Sequence, residues 1–518
     1  MSSPRLRLLV MVVVPLLCIL AAAAHPTPVG AAVTRGPLGT NLGAVNYYDG
    51  TVPFADLMDQ ASEWVSQRTG GGWGSGGALA LRRDGWPSSL RAGQFATAVL
   101  ADVHYPSGTY TVLWSGRGTF DINGRRFGSL ASAGGTGTIR LDGSSTVLLN
   151  LRSTEPNDPI RSIGVRVPGE SRTAVFRSAY LRQLAPYRVL RFMDWQRTNS
   201  TDADPRRTFT CLDRTLPSSA SQGTSAGVSI ERMVDLANRV DADPWFTIPH
   251  EASIEWVRCH ARIVAARLEP GLTPRYEFSN ETWNPQFRAY GALEAEGMAA
   301  GLGDGDGFLA LQQRHAQRHV AVMNAIGPIF DAAGRTVIRV LSGQAANAWV
   351  LDQRLGSAGA AAVTDEIAIA PYVHVAGRNL FDPVDAAEVA TWSRSQLFAA
   401  LDVALTGEVD GWIRDHVALA ATWKRRLVTY EGGQHLAGDT ADDALTTLLT
   451  GVNRGGRMET MYLKYLDLWR RLSRGSLFMH FTDVGPATRY GSWGALETAE
   501  QSTSPKYAAL VAYSDRGR

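Results

Sequence analysis

The chain has 518 residues, of which 45% are hydrophobic and 19% are charged. This length excludes a single small domain, and the composition excludes a disordered chain. The 51 Lys and Arg residues nearly balance the 49 Asp and Glu residues, and they balance fully if Arg5 and Arg7 are removed with an export signal. Because nucleic-acid binding depends on clustered positive charge, we expect no nucleic-acid partner.

The first 32 residues have the pattern of a secretory signal peptide. Arg5 and Arg7 precede an apolar run over residues 8–20, and small residues follow at 21–24 and again at 30–32. This pattern predicts cleavage after about residue 24 or 32. No later stretch approaches the roughly 18 apolar residues that a membrane helix needs. We therefore expect a secreted, extracellular product that has no membrane partner after signal cleavage.

Two cysteines remain after removal of the signal peptide, Cys211 and Cys259. An even number of cysteines in an oxidising compartment is compatible with a disulfide. Two free buried thiols are equally compatible, because a sequence does not report whether two Cα atoms come within bridging distance.

The first predicted strand covers residues 39–45, and a helix is predicted near residues 54–68. Residues 70–168 then change in character, because glycine-rich turns separate short alternating runs such as residues 110–114 and 147–151. Period-two alternation without helical periodicity predicts an antiparallel β module.

From residue 170 onward, short β-branched or aromatic runs alternate with helical stretches. Such alternation is typical of a parallel sheet. Seven strands are predicted there, at residues 189–193, 245–248, 275–279, 337–341, 367–370, 427–430 and 477–481. Helices are predicted near residues 229–240, 254–268, 307–330 and 456–473. A further helical region is predicted to end near residue 426, and a final helix follows Pro505.

Together with the first strand, these elements make eight β/α units and predict an α/β fold, a (β/α)8 TIM barrel with an antiparallel β module inserted after the first β/α unit. The predicted organisation is a signal peptide (1–32), the first β/α unit (33–69), a β-sandwich-like module (70–168) and the remainder of the barrel (169–518). A doubly wound open sheet is the alternative fold, although no Gly-x-Gly-x-x-Gly follows a strand.

Two glutamates stand at the carboxyl ends of predicted barrel strands, which is where a barrel carries its active site. Glu281 follows the fourth strand and Glu431 follows the seventh. Glycoside hydrolysis requires such a pair, one group to protonate the leaving oxygen and one carboxylate to attack or stabilise the sugar carbon. The pair predicts the catalytic residues, whereas lone glutamates are usually surface groups or salt-bridge partners.

Asn280-Glu281 and Glu431 resemble the pattern of clan A of the glycoside hydrolases, which are retaining (β/α)8 enzymes. The resemblance implies that Glu281 is the acid/base, that Glu431 is the nucleophile and that Asn280 binds the sugar 2-hydroxyl. Thr282 departs from the pattern, because many members have Pro there. Residues 191–195 and 276–284 are also similar to a group of secreted bacterial proteins described only as cellulose- or carbohydrate-binding.

Other strand-end residues fit the same cleft. Arg191 could hold the Glu431 carboxylate, or could form an internal structural ion pair. His250, Tyr372 and His374 could bind sugar hydroxyls or orient Glu431, or could be packed core side chains. Tryptophans offer planes on which sugar rings stack, and Trp283 and Trp493 are better candidates than Trp195. Glu277 is interpreted as structural.

The predicted function is a secreted retaining glycoside hydrolase that cleaves a β-linked polysaccharide or oligosaccharide. We expect a glycan substrate, a monomer, and no metal or organic cofactor, since residues 250–254 lack the second His of a zinc motif. A carbohydrate-binding protein without turnover is the alternative. An ester hydrolase would need a Gly-x-Ser-x-Gly elbow after a strand, and the sequence has none there.

Overall fold

The structure is a computed structural model that describes residues 35–48, 50–102, 104–199 and 209–516. The predicted signal peptide lies outside the described residues. No helix within the described ranges is both long enough and apolar enough to span a membrane.

The described residues form a barrel of eight parallel strands, which we label β1–β8 in chain order. Consecutive strands pair from β1 through β7, and β1 also pairs with β8, giving the order β7-β6-β5-β4-β3-β2-β1-β8. The strands are β1 Leu38–Asn41, β2 Val189–Arg191, β3 Asp243–Ile248, β4 Arg275–Phe278, β5 Ile338–Ser342, β6 Glu366–Ile369, β7 Arg426–Thr429 and β8 Phe478–His480. The predicted α/β barrel is thereby confirmed.

Thr429 bridges the seam between β7 and β8. Its backbone N–H donates to the Leu477 carbonyl over 3.1 Å, and its hydroxyl accepts from the Met479 N–H over 2.6 Å. The hydroxyl therefore substitutes for a backbone acceptor where the strands diverge, and the barrel is nearly closed.

Helices surround the barrel, and each helix buries one of its faces against the strands. Several begin with a Ser or Asp whose side chain accepts from an N–H of the first turn, as Ser229, Ser253 and Asp306 do. The helices are Ser178–Leu184, Ile230–Val240, Ile254–Arg267, Arg288–Ala299, Gly307–Ala332, Ala348–Gly356, Pro383–Ala390, Arg394–Ala404, Asp410–Trp423, Asp443–Asn453, Gly456–Leu472 and Pro505–Asp515, with a π-helical turn over Leu405–Val409.

An antiparallel β module separates β1 from the first barrel helix. Its five-stranded and three-stranded sheets share one buried hydrophobic cluster. The five-stranded sheet contains Val65–Arg68, Gln94–Ala101, Val147–Thr154, Gly118–Ile122 and Arg125–Ser129, the three-stranded sheet contains Arg161–Arg166, Gly108–Ser115 and Gly134–Leu141, and a small hairpin pairs Ala80–Leu81 with Pro87–Ser89.

The predicted helix near residues 54–68 is wrong. The structure has a 3-10 turn at Leu57–Gln60 and then the module strand Val65–Arg68. Asp56 accepts hydrogen bonds from the backbone N–H groups of Met58 and Val165, which ties this segment to the last module strand. Pairing with the module outweighs the local helical preference, and Ser178–Leu184 supplies the first barrel helix.

Cys211 and Cys259 form a disulfide, with Cα atoms 5.9 Å apart. The bridge joins the long connection after β2 to the helix Ile254–Arg267. This resolves the two alternatives that the sequence left open in favour of the bridge.

Candidate active site

A cleft of about 640 Å³ opens at the carboxyl ends of the barrel strands. Glu281, after β4, and Glu431, after β7, both line it. Glu431 is buried and Glu281 is partly exposed. The structure thus brings the two glutamates that are 150 residues apart in sequence into one cleft.

Arg191 lies beneath this cleft, outside its lining, and contacts several of the residues around it. Its side chain is fully buried and donates to Glu431 Oε1 over 2.8 Å and to Glu277 Oε2 over 2.9 Å and 3.1 Å. It also donates to Oδ1 of Asn280 over 2.7 Å and to Oδ1 of Asn41 over 2.9 Å. Both roles considered for Arg191 are therefore present, since it holds Glu431 and forms an internal ion pair with Glu277.

Electrostatics keep Arg191 charged. Burial lowers the pKa of its guanidinium, but the carboxylates of Glu277 and Glu431 outweigh burial and raise that pKa above its ordinary value. Glu277 also accepts from the Trp245 indole N–H over 3.0 Å. A permanent cation therefore lies beneath the cleft, between two carboxylates.

Glu431 has a second donor beside Arg191. The Tyr372 hydroxyl donates to Glu431 Oε2 over 2.9 Å. Burial raises the pKa of the Glu431 carboxyl above its ordinary value, and the neighbouring Glu281 carboxylate adds to the rise, whereas Arg191 and the Tyr372 hydrogen bond oppose it. The arrangement fixes both oxygens of Glu431 and leaves its titration coupled to that of Glu281.

Glu281 is held by neutral groups. The Tyr430 hydroxyl contacts Oε1 over 2.9 Å, and the Asn284 amide donates to Oε2 over 3.0 Å. Burial raises the pKa of Glu281, and these two hydrogen bonds oppose the rise. The Arg191 guanidinium acts on Glu281 only through space, because the described contacts of Arg191 go to other residues.

The backbone that presents Glu281 is strained. Ser279 and Glu281 have φ angles of 58° and 40°, in the left-handed region that non-glycine residues rarely adopt. Behind this turn, the Thr282 hydroxyl accepts from the buried Arg354 over 2.9 Å and hydrogen-bonds with His315 Nδ1 at 2.8 Å. The Thr282 departure from the clan pattern is thus part of a buried polar network that supports the turn.

Aromatic side chains form the walls. Trp283 and Trp493 both line the cleft, and Trp493 packs edge-on against Tyr372, His435 and Phe481 with ring centroids 5.1–6.0 Å apart. Trp195 does not reach the cleft, because it is buried and donates to the Gly43 carbonyl over 2.9 Å.

Of the two predicted histidines, only His374 lines the cleft. His374 lines the cleft, stacks on Trp412 with centroids 5.3 Å apart and lies 2.6 Å from Glu408. His250 is buried outside the lining, with Nδ1 3.4 Å from Glu251 Oε2. The interpretation of His250 as a sugar contact is therefore replaced by that of a packed side chain at the end of β3.

Four residues that contact the candidate site residues were not predicted from the sequence: Asn41 contacts Arg191, Asn284 and Tyr430 contact Glu281, and Trp412 stacks on His374. Asn41 stands at the end of β1, but the strand predicted from the sequence continued to residue 45, so the strand-end rule did not select Asn41. Asn284 follows Glu281 by three residues, in the same motif. Tyr430 gave no local signal, because it adjoins Glu431 on a strand already assigned. Trp412 gave none, because it lies on a helix.

No group of three or more His, Cys, Asp or Glu side chains within the described ranges is arranged to hold a metal ion. The cleft residues can move protons and stabilise charge through the side chains named above.

No protein-family model matches this chain, and no curated protein matches it. Among solved structures, the chain is similar to an endo-β-1,4-mannanase from Cellulomonas fimi, with 10% identity, a TM-score of 0.33 and coverage of 56% of this chain and 60% of that one. An endo-1,4-β-xylanase from Penicillium canescens is 10% identical over 68% of this chain and 92% of that one, with a TM-score of 0.34. Fungal β-1,4-galactanases are 8% identical over 64% and 90%, with a TM-score of 0.33. The strand order, rather than these distant likenesses, defines the barrel.

Proposed function

We propose that the chain is a retaining glycoside hydrolase that acts on a β-linked polysaccharide or oligosaccharide. The observation that carries the proposal is the pair Glu281 and Glu431 in one cleft, with Glu431 held by Arg191. The β-linkage rests on the resemblance of Asn280-Glu281 and Glu431 to clan A.

The assignment of roles follows from the partners of each carboxyl. The coupled pair retains a proton near neutral pH, because burial opposes two adjacent negative charges. Negative charge is best stabilised on Glu431, which touches the Arg191 cation. The proton then resides on Glu281, whose contacts Tyr430 and Asn284 are neutral.

In the first step, a Glu431 oxygen attacks the anomeric carbon while Glu281 donates its proton to the glycosidic oxygen. The carbon–oxygen bond breaks, the leaving sugar departs as an alcohol, and a glycosyl ester forms on Glu431. In the second step, Glu281 takes a proton from water, whose oxygen attacks the anomeric carbon and releases Glu431. The two inversions give net retention.

Substrate contacts are proposed for the remaining cleft residues. Asn280 would bind the sugar 2-hydroxyl. The Asn280 amide oxygen accepts from Arg191, so the Asn280 NH2 group faces away from the guanidinium. Trp283 and Trp493 would stack on sugar rings, and Tyr372 and His374 would contact hydroxyls. The site requires no metal or organic cofactor in this mechanism.

The test is a screen of purified protein on β-glucans, xylan, mannan, galactan and arabinan. Glu281→Gln and Glu431→Gln are run beside it, with Glu251→Gln as a matched control outside the cleft. We expect cleavage of at least one glycan, a loss of at least about 100-fold in both cleft variants, and near-normal activity in the control. Proton NMR of the first products should show retention.

Full activity of Glu431→Gln, or inversion at the anomeric carbon, would overturn the mechanism. Glycan binding without turnover by the wild type would support the non-catalytic carbohydrate-binding alternative instead.

The extracellular setting is also a proposal. It rests on the signal pattern in residues 1–32 and on the disulfide between Cys211 and Cys259. Amino-terminal sequencing of protein from the culture medium should give a sequence that begins after about residue 24 or 32. We also propose that the protein is a monomer, which size-exclusion chromatography measures. An intact Met1 would contradict the export proposal.

A further inference from the structure

A second cavity, of about 690 Å³, lies between the loop that follows β8 and the helix Pro505–Asp515. We call it the Lys506 cavity. In the described part of the chain, it shares no lining residue with the catalytic cleft. Its lining includes Asn453, Arg454, Ser492, Glu497 and Lys506.

Three buried polar groups of this cavity have unused hydrogen-bonding capacity. Ser492 is 2% exposed and its hydroxyl has no hydrogen-bond partner among the described residues, and the same holds for Oδ1 of Asn453, which is 4% exposed. The Lys506 ammonium, also 4% exposed, donates one hydrogen bond to the Ser492 carbonyl. An ammonium has three protons, so donors remain for a ligand.

The charges around Lys506 leave its ammonium poorly compensated. Glu497 acts on it through space, but both Glu497 oxygens accept from the Arg454 guanidinium, over 2.7 Å and 2.6 Å. Glu459 also lines the cavity, and His480 lies close enough for Lys506 to lower its pKa. Burial lowers the pKa of Lys506 to about 7, and Glu497 opposes this.

The position of Lys506 in its helix also favours the binding of an anion. It lies in the first turn of an 11-residue helix, where the dipole disfavours a cation and favours an anion. A bound anion would therefore relieve an unfavourable arrangement, and Ser492, whose carbonyl accepts from the ammonium, lines the same cavity.

We propose that the Lys506 cavity is a binding site for a small oxyanion, held by the Lys506 ammonium and the Ser492 hydroxyl. Asn453 Oδ1 would accept from a hydroxyl when the anion is an organic carboxylate. This site is separate from the proposed hydrolase chemistry and stands whether or not that chemistry is correct.

Proton uptake follows from the same geometry. A lysine that is half-neutral near pH 7 must be protonated to hold an anion, so binding at higher pH takes up a proton. Between about pH 6 and about pH 8.5, affinity should fall about 30-fold, because the protonated fraction falls by that factor for a pKa of about 7.

Isothermal titration calorimetry with sulfate and with glucuronate tests the proposal, since both probes stay ionised over this range. Titrations use chloride-matched buffers of two ionisation enthalpies, which report the proton uptake. Sulfate binding alone would assign the site to inorganic anions, and tighter glucuronate binding would assign it to carboxylates.

Lys506→Met should abolish binding and its pH dependence, and Ser492→Ala should weaken binding about tenfold while keeping the backbone carbonyl that Lys506 contacts. Lys464→Met is the matched control, because Lys464 pairs with Asp402 on the surface. If neither probe binds to the wild type, or if binding survives unchanged in Ser492→Ala and in a folded Lys506→Met, the proposal is overturned.

Discussion

The Tyr430 hydroxyl lies 2.9 Å from Oε1 of Glu281, although Tyr430 adjoins Glu431 in the chain. The residue beside one catalytic candidate thus contacts the other. Tyr430 is fully buried, and its ring faces the Arg191 guanidinium with 5.2 Å from Cζ to the ring centroid. It links the acid/base candidate to the cation that holds the nucleophile candidate.

Tyr430→Phe should shift the alkaline limb of the pH–rate profile to higher pH. The hydroxyl lowers the pKa of Glu281 by stabilising its ionised form, so removing it raises that pKa and keeps the acid protonated to higher pH. We expect kcat/KM at neutral pH to fall about tenfold as Glu281 loses its orientation. The profile is measured on the substrate found in the glycan screen.

Tyr110→Phe is the control, because it removes another buried hydroxyl, one that donates to the Pro106 carbonyl in the module. An unshifted alkaline limb in Tyr430→Phe would contradict the assignment of Glu281 as the acid.

Arg191→Met should destabilise the protein by about 3–5 kcal/mol, since it leaves Glu277 and Glu431 buried without their cation. Adding Glu277→Gln should restore part of the free energy of unfolding but none of the activity, because Glu431 still lacks its donor. Denaturant unfolding measures the stability of both variants, and kcat measures their activity. Equal stability of the single and double variants would show that Glu277 carries no charge that Arg191 must balance.

Trp493→Ala should weaken oligosaccharide binding about tenfold, since it removes an apolar plane from the cleft wall. Binding is measured in a Glu431→Gln background, so that turnover does not interfere. Trp73→Ala is the control, because Trp73 is 65% exposed in a glycine-rich loop of the module. A loss in Trp73→Ala as large as that in Trp493→Ala would place part of the binding surface on the module.

Stability should fall as pH drops below about 6.5. Burial lowers the pKa of His260, His319 and His480 to about 3, from an ordinary value of 6.5. The unfolded state therefore binds more protons between these values, so each histidine contributes stability that is present above pH 6.5 and is lost as pH falls, by up to about 1.4 kcal/mol per pH unit. Tm between pH 8 and pH 5 reports the loss.

His319→Gln should flatten that dependence, because glutamine does not titrate in this range. An identical slope of Tm against pH in the variant and the wild type would mean that His319 is not neutral in the folded protein.

Cys211→Ser should lower the free energy of unfolding by about 2–4 kcal/mol, because the bridge closes a sequence separation of 48 residues. The same loss should follow from reduction of the wild type with dithiothreitol, and Cys211→Ser should then be insensitive to the reductant. Unfolding midpoints in guanidinium chloride provide the measurement. A reductant effect that persists in Cys211→Ser would contradict the bridge.

Local pattern and strand topology were sufficient for the barrel and for two of its key residues. Buried β-branched runs alternating with amphipathic stretches specify β/α units, because side-chain burial sets both periods. Once the strands are counted, the rule that catalytic groups stand at their carboxyl ends selects Glu281 and Glu431. The failure at residues 54–68 shows the limit of local pattern, since that segment pairs with module strands that come later in the chain.

Contacts between distant residues were decided only in three dimensions. The sequence by itself determined which side chains stand at strand ends, because that depends on neighbours in the chain. The tertiary structure decided that Arg191 lies between Glu277 and Glu431, that Tyr430 reaches Glu281, and that His250 stays outside the cleft. These outcomes depend on the closure of the barrel and on packing among side chains up to 240 residues apart, which no local periodicity encodes.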